Sequence, residues 1–339
     1  MKKHFPVLLT FLVLGLGFIS FGLVQSMKSS LPASSINSQP LASKVYLLGG
    51  GNTQTNSLIS STDGYNWNVD ATALSFPQRI NTTFLPFKTG FIVFGGYGYN
   101  NGSFNYNDVW SSLDGISWAR ILEHAPWSKR SGNGGIVFNN ALYMFGGETY
   151  NASGSTFYND VWKSVDGMHW VKQGDAPWTA RSVGAAFVFK NKVWLIGGGS
   201  YNVNEDGTYD FQTYKDIWSF DGTTWIKELD QSPWDATGPT ATFVQDEKLF
   251  VIVDDGLSSN TSVWSTTDGV NYEKVSDMPG FPQYNYTSFT QAGRMWLAGG
   301  TLDEEPYSGL WSSIDGVTWQ DMGITLPAFS GEGHSSLVK

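Results

Sequence analysis

Cysteine is absent from all 339 residues of the chain. The chain therefore cannot form a disulfide bond, bind a metal through thiolates or use a cysteine nucleophile. Positive charge is also scarce, because 20 lysines and arginines stand against 30 aspartates and glutamates, for a formal net charge of -10. Nucleic-acid binding needs clustered positive charge to neutralise phosphates, so we expect no nucleic-acid partner.

Glycine and aromatic residues are abundant instead. The sequence has 39 glycines, and 15% of its residues are Phe, Trp or Tyr. This composition favours tightly turned, aromatic-packed strands over helices, and all-β propellers or barrels of this length often form one domain. The histidines are dispersed along the chain, at His4, His124, His169 and His334. We therefore expect neither a metal site nor a cofactor.

The N-terminal residues carry an export pattern. The basic start MKKH precedes an uncharged run from Phe5 to Val24, and the small side chains that follow suit cleavage. Residues 1–26 are therefore interpreted as a cleaved signal peptide or as an uncleaved anchor, since a run of about 20 residues also reaches the length of a spanning helix. Residues 27–43 indicate a flexible linker. Both interpretations place residues 44–339 outside the cytoplasm, with membrane contact only through an uncleaved N-terminal segment.

Two markers repeat along the chain at intervals of roughly 50 residues. The first is an apolar run that ends at or near paired glycines, and it begins at Val45, Phe91, Leu142, Val193, Leu249 and Met295. The second is an Asp-Gly pair shortly before an aromatic residue, with its aspartate at Asp63, Asp114, Asp166, Asp221, Asp268 and Asp315. Because both markers occur once in each interval, they indicate six structural units.

Each unit is interpreted as a four-stranded antiparallel sheet. In the third unit, Asn139 and Asn140 join the first two strands, and Asp166 with Gly167 joins the last two. Asn and Gly tolerate the positive φ that tight hairpins require. One small sheet cannot bury both of its faces, whereas radially packed sheets can. The sequence therefore predicts an all-β, six-bladed β-propeller over residues 44–339, with tryptophans buried between the blades at Trp110, Trp162, Trp218, Trp264 and Trp311.

The two ends of this region predict how the ring closes. Blade one begins at Lys44 in its second strand, whereas the C-terminal GEGHSSLV, from Gly331 to Val338, is similar to the first strands of later units. We therefore expect the C-terminal strand to complete blade one. Such closure removes a free sheet edge.

These units resemble the kelch repeat, in which an apolar run ends in paired glycines and a Trp follows. The resemblance covers residues 41–339 and implies a kelch-type propeller. In the galactose oxidase-like members, tyrosines and histidines hold copper and a cysteine is cross-linked to one tyrosine; the absence of cysteine excludes that chemistry in its usual form. In the sialic acid mutarotase-like members, the resemblance implies proton transfer by a Glu beside a second-strand end and a nearby Arg. Glu148 follows Gly146 and Gly147 and is the local match, but no Arg follows it within that loop.

The long loops fall on one face of the predicted propeller, after the paired glycines of units two to four. Tyrosine rings can stack on apolar sugar faces, while amides and hydroxyls match sugar hydroxyls. The principal ligand-binding candidates in these loops are Tyr97, Tyr99, Tyr150 and Tyr201. The wider hypothesis is a carbohydrate-binding surface that also contains Tyr106, Tyr158, Tyr209 and Tyr214. The alternative is that these tyrosines merely cover blade edges.

Three arginines, Arg79, Arg130 and Arg181, occupy one repeated position before the paired glycines. One hypothesis is that they bind a carboxylated ligand, such as a sialic or uronic acid, through bidentate hydrogen bonds. The alternative is that each arginine pairs with an acid of the repeat and steadies the loops. The candidate acids are Asp108, Asp160 and Asp216, and the corresponding positions of the other units are Thr237, Gln283 and Ser330.

The favoured function is an extracytoplasmic, monomeric binding module for a carbohydrate or another cell-surface ligand, with no assigned reaction. One alternative is a sugar mutarotase or epimerase in which Glu148 is the catalytic candidate. Another is a protein-interaction platform, because a propeller fold does not determine function by itself.

Overall fold

The structure is a computed structural model that describes residues 44–49, 56–98, 104–151, 154–204, 208–235, 238–254, 260–279, 284–302, 305–327 and 335–338. Within this part of the chain every regular element is a strand, and no helix has the length and apolarity of a membrane span. The strands form six antiparallel blades, so the predicted all-β six-bladed propeller is confirmed. The predicted signal or anchor and the linker lie outside the described residues.

The first half of the chain forms three blades and two small loop hairpins. Blade one contains β1 (Val45–Gly49), β2 (Ser57–Ser61) and β3 (Asn68–Ala71). Blade two contains β4 (Thr83–Phe87), β5 (Gly90–Phe94), the loop strands β6 (Tyr97–Gly98) and β7 (Phe104–Asn105), then β8 (Val109–Ser112) and β9 (Trp118–Leu122). Blade three contains β10 (Gly134–Phe138), β11 (Ala141–Phe145), the loop hairpin β12 (Glu148–Asn151) and β13 (Gly154–Phe157), then β14 (Asp160–Ser164) and β15 (Trp170–Asp175).

The second half forms three further blades and the closing strand. Blade four contains β16 (Ser182–Phe189), β17 (Lys192–Val203), the loop strand β18 (Tyr209–Thr213), β19 (Ile217–Phe220) and β20 (Trp225–Leu229). Blade five contains β21 (Pro239–Gln245), β22 (Lys248–Asp254), β23 (Asn260–Thr266) and β24 (Glu273–Pro279). Blade six contains β25 (Tyr284–Gln291), β26 (Arg294–Leu302), the short β27 (Glu305–Pro306), β28 (Gly309–Ser313) and β29 (Gln320–Thr325), and the chain ends in β30 (Ser335–Val338).

The closing strand pairs with the first strand. In the antiparallel pair of β30 and β1, Val338 lies opposite Val45 and Ser335 lies opposite Leu48. Blade one is therefore built from both ends of the described chain, as the sequence predicts. The inner strands β4, β10, β16, β21, β25 and β30 also contact their neighbours around the ring.

Tight turns occupy one face of the propeller, which we call the turn face. Asn139 and Asn140 adopt φ values of 49° and 58°, as expected for the hairpin between β10 and β11. At the Asp-Gly turn of blade two, the Asp114 carboxylate accepts hydrogen bonds from the backbone N–H groups of Ile116 and Ser117 at 2.8 and 2.7 Å. These bonds lower the pKa of Asp114 to about 2, with the Ser117 bond the larger cause. The opposite face carries β6–β7, β12–β13 and the extension formed by β17 and β18, and we call it the loop face.

The hydrophobic core is divided among the gaps between neighbouring blades. Each gap holds a cluster of buried side chains drawn from the two blades that flank it. Between blades six and one, for example, Val45 and Leu47 pack with Trp296 and Leu310. The core therefore continues across the closing gap of the ring, and removal of apolar surface from water stabilises the whole ring rather than single sheets.

The tryptophans predicted between blades are less buried than expected. Trp218 is 7% exposed, whereas Trp110, Trp162, Trp264 and Trp311 are half-buried at the edges of the core clusters. The indole N–H groups of Trp162 and Trp218 each donate to the aspartate two residues earlier at 2.8 Å, which ties both rings to the loop-face end of the third strand. More deeply buried indoles lie in the crossovers between blades, at Trp127, Trp178 and Trp234, and in the second strands of blades four and six, at Trp194 and Trp296.

Candidate functional site

Each of the three repeated arginines is built into the scaffold of the loop face. Arg130 donates from Nη1 to Asp160 Oδ1 at 2.5 Å and from Nη2 to Oδ2 at 3.1 Å. Its Nη1 also donates to the carbonyl of Gly146 at 3.0 Å, and its Nε donates to the carbonyl of Ser128 at 3.1 Å. The ring of Tyr158 covers one side of the guanidinium, with its centroid 3.9 Å from Cζ.

The same arrangement recurs in the neighbouring blades. Arg79 pairs with Asp108 and Arg181 with Asp216, again through both carboxylate oxygens. The stacked rings there are Tyr106 and Tyr214, at 3.8 and 3.9 Å. Each arginine lies on the crossover that leads into a blade, and it binds the Tyr-x-Asp segment that precedes the third strand of that blade. We call each set of one Arg, one Asp and one Tyr an arginine module.

Burial and pairing decide what these arginines can do. Arg79, Arg130 and Arg181 are 2%, 1% and 0% exposed. At Asp160, burial acts to raise the carboxyl pKa, but the hydrogen bond and charge of Arg130 outweigh it and the pKa lies below its ordinary value. Because each guanidinium already serves an internal carboxylate, a carboxylated ligand would have to displace that partner. The geometry thus corresponds to the alternative in which each arginine pairs with an acid of the repeat and steadies the loops. The corresponding positions of the other blades, Thr237, Gln283 and Ser330, lie outside the described residues.

The crossovers contain a signal that sequence reasoning missed. Arg130 and Arg181 end the closely similar segments APWSKR and APWTAR. The side-chain amide of Asn107 donates to the carbonyls of Ala125 and Trp127, and Asn159 does the same for Ala176 and Trp178. The repeated Ala-Pro-Trp-x-x-Arg pattern therefore places a tryptophan in the core and an arginine beneath the loops.

Other predicted residues come together between blades three and four. In the hairpin of β12 and β13, Glu148 lies opposite Phe157 and Tyr150 lies opposite Ser155. Alternate residues of a strand share one face of the sheet, so these four side chains lie on the same face of the hairpin. Thr149 lies on the other face, where its hydroxyl donates to the carbonyl of Lys129 at 2.5 Å.

The extension of blade four presents an aromatic face to this hairpin. Tyr201 of β17 lies opposite Phe211 of β18, and Val203 lies opposite Tyr209. The Tyr201 ring meets the rings of Phe157, Tyr209 and Phe211 at centroid distances of 5.3, 5.5 and 5.7 Å. The hydroxyls of Tyr201 and Ser155 are 2.5 Å apart. Phe157 and Phe211 were not among the predicted residues, although the alternation in TYDFQT places Phe211 on the same strand face as Tyr209.

We define the hairpin site as the side chains that meet between these two hairpins: Glu148, Tyr150, Ser155, Phe157, Tyr201, Tyr209 and Phe211. Tyr97 adjoins it, because its ring contacts that of Tyr150 at 5.9 Å. The site therefore unites three of the four principal tyrosine candidates, either directly or by contact, with Glu148. The fourth, Tyr99, lies outside the described residues.

Glu148 supplies the charge of the hairpin site. Its Oε1 accepts a hydrogen bond from the Ser182 hydroxyl at 3.1 Å, whereas its Oε2 is buried without a hydrogen-bond partner. Burial raises the pKa of the Tyr201 hydroxyl above its ordinary value, and the Glu148 carboxylate adds to the rise against the opposing hydrogen bond with Ser155. The Glu148 carboxylate is thus close enough to the Tyr201 hydroxyl for its charge to affect the pKa of that hydroxyl.

Three aromatic rings of the hairpin site are exposed to solvent. Phe211 is 76% exposed, Tyr209 46% and Tyr150 38%. By contrast, Tyr106, Tyr158 and Tyr214 cover the arginines described above. The loop tyrosines therefore divide into a structural set and a set that a ligand can reach.

A concave region lies on the turn face between blades two and three. This apolar groove has a volume of about 480 Å³, and its walls include Phe91, Leu113, Ile121 and Met168. Its carboxylates, such as Asp114, are engaged in the turns. In the described part of the chain, no group of three or more His, Asp or Glu residues is arranged to hold a metal ion.

No protein family and no curated protein matches the sequence. Among solved structures, the fold is similar to the structure of YjhT, with a TM-score of 0.58 and 17% sequence identity, over 81% of this chain and 97% of that chain. At this identity the similarity concerns the fold alone. It therefore places the chain among the β-propellers and leaves its ligand to be argued from the hairpin site.

Proposed function

We propose that this propeller is an exported, kelch-like binding module that holds a saccharide at the hairpin site. The observation that carries the proposal is the exposed aromatic face of Tyr209 and Phe211 beside the polar groups of Glu148, Ser155 and Tyr201. Exposed rings on two adjacent hairpins can stack on the apolar faces of sugar rings, and the neighbouring oxygens can exchange hydrogen bonds with sugar hydroxyls.

The position of the site on the fold supports the same proposal. Loops on a rigid scaffold are frequent sites of binding, and the arginine modules fix the bases of these loops. Ligand pockets also combine apolar walls with a few placed polar groups. The apolar groove on the turn face has the walls, but its carboxylates, Asp114 and Asp166, bind the backbone of their own turns, so we assign saccharide binding to the loop face.

A glycan array probed with the full chain tests the proposal. Phe211→Ala should weaken binding of the best saccharide by about 30-fold, because truncation of an aromatic anchor at an interface typically costs about 2 kcal/mol or more. Tyr65→Ala is the matched control, since Tyr65 is 43% exposed and lies on the turn face. Absence of saturable binding to any glycan, or an equal loss in both variants, would count against the proposal.

A second candidate function is sugar mutarotation or epimerisation at the same site. Glu148 favours it, because a carboxylate beside the Tyr201 hydroxyl can exchange a proton with a bound sugar. In this reaction Glu148→Gln should abolish accelerated mutarotation, measured by NMR exchange between anomers, and should retain saccharide binding. If the wild-type protein binds a sugar but does not accelerate its mutarotation, mutarotase activity is excluded for that sugar and the function as a binding module remains.

Export is part of the same proposal and rests on the charge and hydropathy pattern of residues 1–26. N-terminal sequencing of the protein recovered from outside the cytoplasm should begin near residue 27 if the segment is a cleaved signal. Recovery with the membrane fraction and an intact N-terminus corresponds to the anchor. Retention of the entire protein in the cytoplasm would contradict export.

A further inference from the structure

The charge of the hairpin site restricts which saccharides it can take. Among the described residues on the two facing hairpin surfaces, Glu148 is the only Asp, Glu, Lys, Arg or His side chain. Asp210 lies opposite Asn202 and therefore on the other face of β18. Lys129 meets the opposite face of β12 through Thr149. The site therefore presents a carboxylate without a neighbouring described cation on the same surface.

The nearby arginines do not change this balance. Arg130 and Arg181 lie beneath the loops with 1% and 0% exposure, and each is paired with both oxygens of an aspartate. A bidentate pair neutralises the guanidinium and occupies the donors that a ligand carboxylate would need. A uronic or sialic acid at the hairpin site would instead place its carboxylate near Glu148, and like charges repel at short range.

Glu148 and the aromatic rings favour the opposite charge. The Oε2 atom of Glu148 is buried and accepts no hydrogen bond, so the protein compensates the charge of this carboxylate only in part, and a cation at the adjoining surface would stabilise it. Aromatic faces also attract cations, most strongly where water is excluded. Tyr150, Tyr201 and Phe157 surround the same face of the hairpin and supply such rings.

From these observations, and resting on the proposed saccharide function, we infer that the hairpin site selects amino sugars whose ammonium group pairs with Glu148, and discriminates against carboxylated sugars. The ammonium pairs with the Glu148 carboxylate while the sugar ring stacks on the exposed rings of Tyr209 and Phe211. Neutral sugars retain the stacking but lose the charged hydrogen bond. The expected order of affinity is amino sugar, then neutral sugar, then acidic sugar.

Isothermal titration of the full chain with three oligosaccharides tests this order. The probes are oligomers of glucosamine, of N-acetylglucosamine and of galacturonic acid, at a mildly acidic pH that keeps the amine protonated. The first two differ by an N-acetyl group that removes the positive charge of the amine, and the salt dependence of their affinity ratio isolates the contribution of that charge. The glucosamine oligomer should bind about 10- to 100-fold more tightly than its acetylated form, the range of a charged hydrogen bond. High salt should shrink the ratio.

Two variants test whether Glu148 causes the preference for the free amine. Glu148→Gln should remove most of the preference for the free amine, while Glu123→Gln, a control at an exposed acid beyond β9, should leave it unchanged. If Glu148→Gln does not fold, the salt dependence of the wild-type ratio decides the question. Equal affinities, or tightest binding of the galacturonic oligomer, would overturn the inference while leaving saccharide binding intact. Binding of none of the three, with glycans of other classes positive on the array, would also overturn it. A blank array would remove the proposed function itself.

Discussion

Replacement of Arg130 with Met tests whether the arginine module holds the loop face together. The Met side chain keeps much of the apolar stem but removes the donors to Asp160, Gly146 and Ser128. The Asp160 side chain is 13% exposed, so it is left as a poorly solvated and unpaired carboxylate. Removing one partner of a buried ion pair costs about 3 to 5 kcal/mol. Because Asp160 retains some exposure, we expect a loss near 3 kcal/mol in the free energy of unfolding.

Urea denaturation of ligand-free protein, followed by tryptophan fluorescence, measures this loss. A double-mutant cycle with Asp160→Asn separates the pair from general damage to the fold. The double variant should be more stable than the sum of the two single losses implies, by about 1 to 3 kcal/mol, because contacting groups couple. A cost below about 1 kcal/mol for Arg130→Met, or simple additivity in the cycle, would refute a structural role and return the arginines to the list of ligand-binding candidates.

Three further outcomes follow from the blade architecture. Deletion of residues 331–339 should cause a cooperative loss of thermal stability, because β1 then has an unpaired inner edge; melting like the full chain would contradict the closure. Gly269→Ala should lower the free energy of unfolding by about 1 to 3 kcal/mol, since the new Cβ would lie 2.3 Å from the ring of Trp194. Gly323→Ala is the control and should cost less, because its φ is also positive but nothing lies within 4 Å of its Cβ. Equal costs for the two variants in urea titrations would argue against tight packing between the blades at Gly269. Because hydrogen bonds depress the folded-state pKa of Asp114 to about 2, its turn stabilises the protein above about pH 4 and loses that contribution as pH falls toward 2; Asp114→Asn should flatten the pH dependence of the urea midpoint in this window, and an unchanged slope would exclude this turn as a contributor.

Much of the fold could be predicted from sequence because each blade repeats its turn chemistry. Asn139 and Asn140 and the Asp-Gly turns mark chain reversals, and the paired glycines mark positions of positive φ in the second strand or at its end; few other residues adopt these backbone conformations. The closing strand was also legible, since GEGHSSLV supplies the inner strand that blade one lacks. These features depend on local conformation, which neighbouring residues determine.

The roles of the loop residues depend on partners that are distant in sequence. Tyr158 and Tyr201 belong to similar Tyr-rich loops, yet one covers Arg130 and the other meets Phe157 and Phe211. The position of Tyr158 directly before Asn159 and Asp160 distinguishes the structural tyrosines, but this meaning emerges only when Asp160 is seen to pair with Arg130. Composition alone could not separate the two sets.

The strand register of the loop hairpins could not be predicted either. A shift of one residue in β12 would turn Glu148 and Tyr150 away from Tyr201 and would bring Thr149 to that face. The chain contains no apolar alternation in this hairpin that would fix its register from sequence. The sequence could therefore identify Glu148 as a candidate from its position after Gly147. Its proximity to the aromatic face of blade four could be seen only in the structure.

The central claim is that ligand binds between the two hairpins of the loop face. Amide hydrogen–deuterium exchange of the full chain, with and without the best saccharide from the array, tests it most directly. We expect slower exchange in β12, β13, β17 and β18 when the saccharide is bound, with little change on the turn face. Protection centred on the groove that contains Leu113 and Met168, with none in the four hairpin strands, would contradict it.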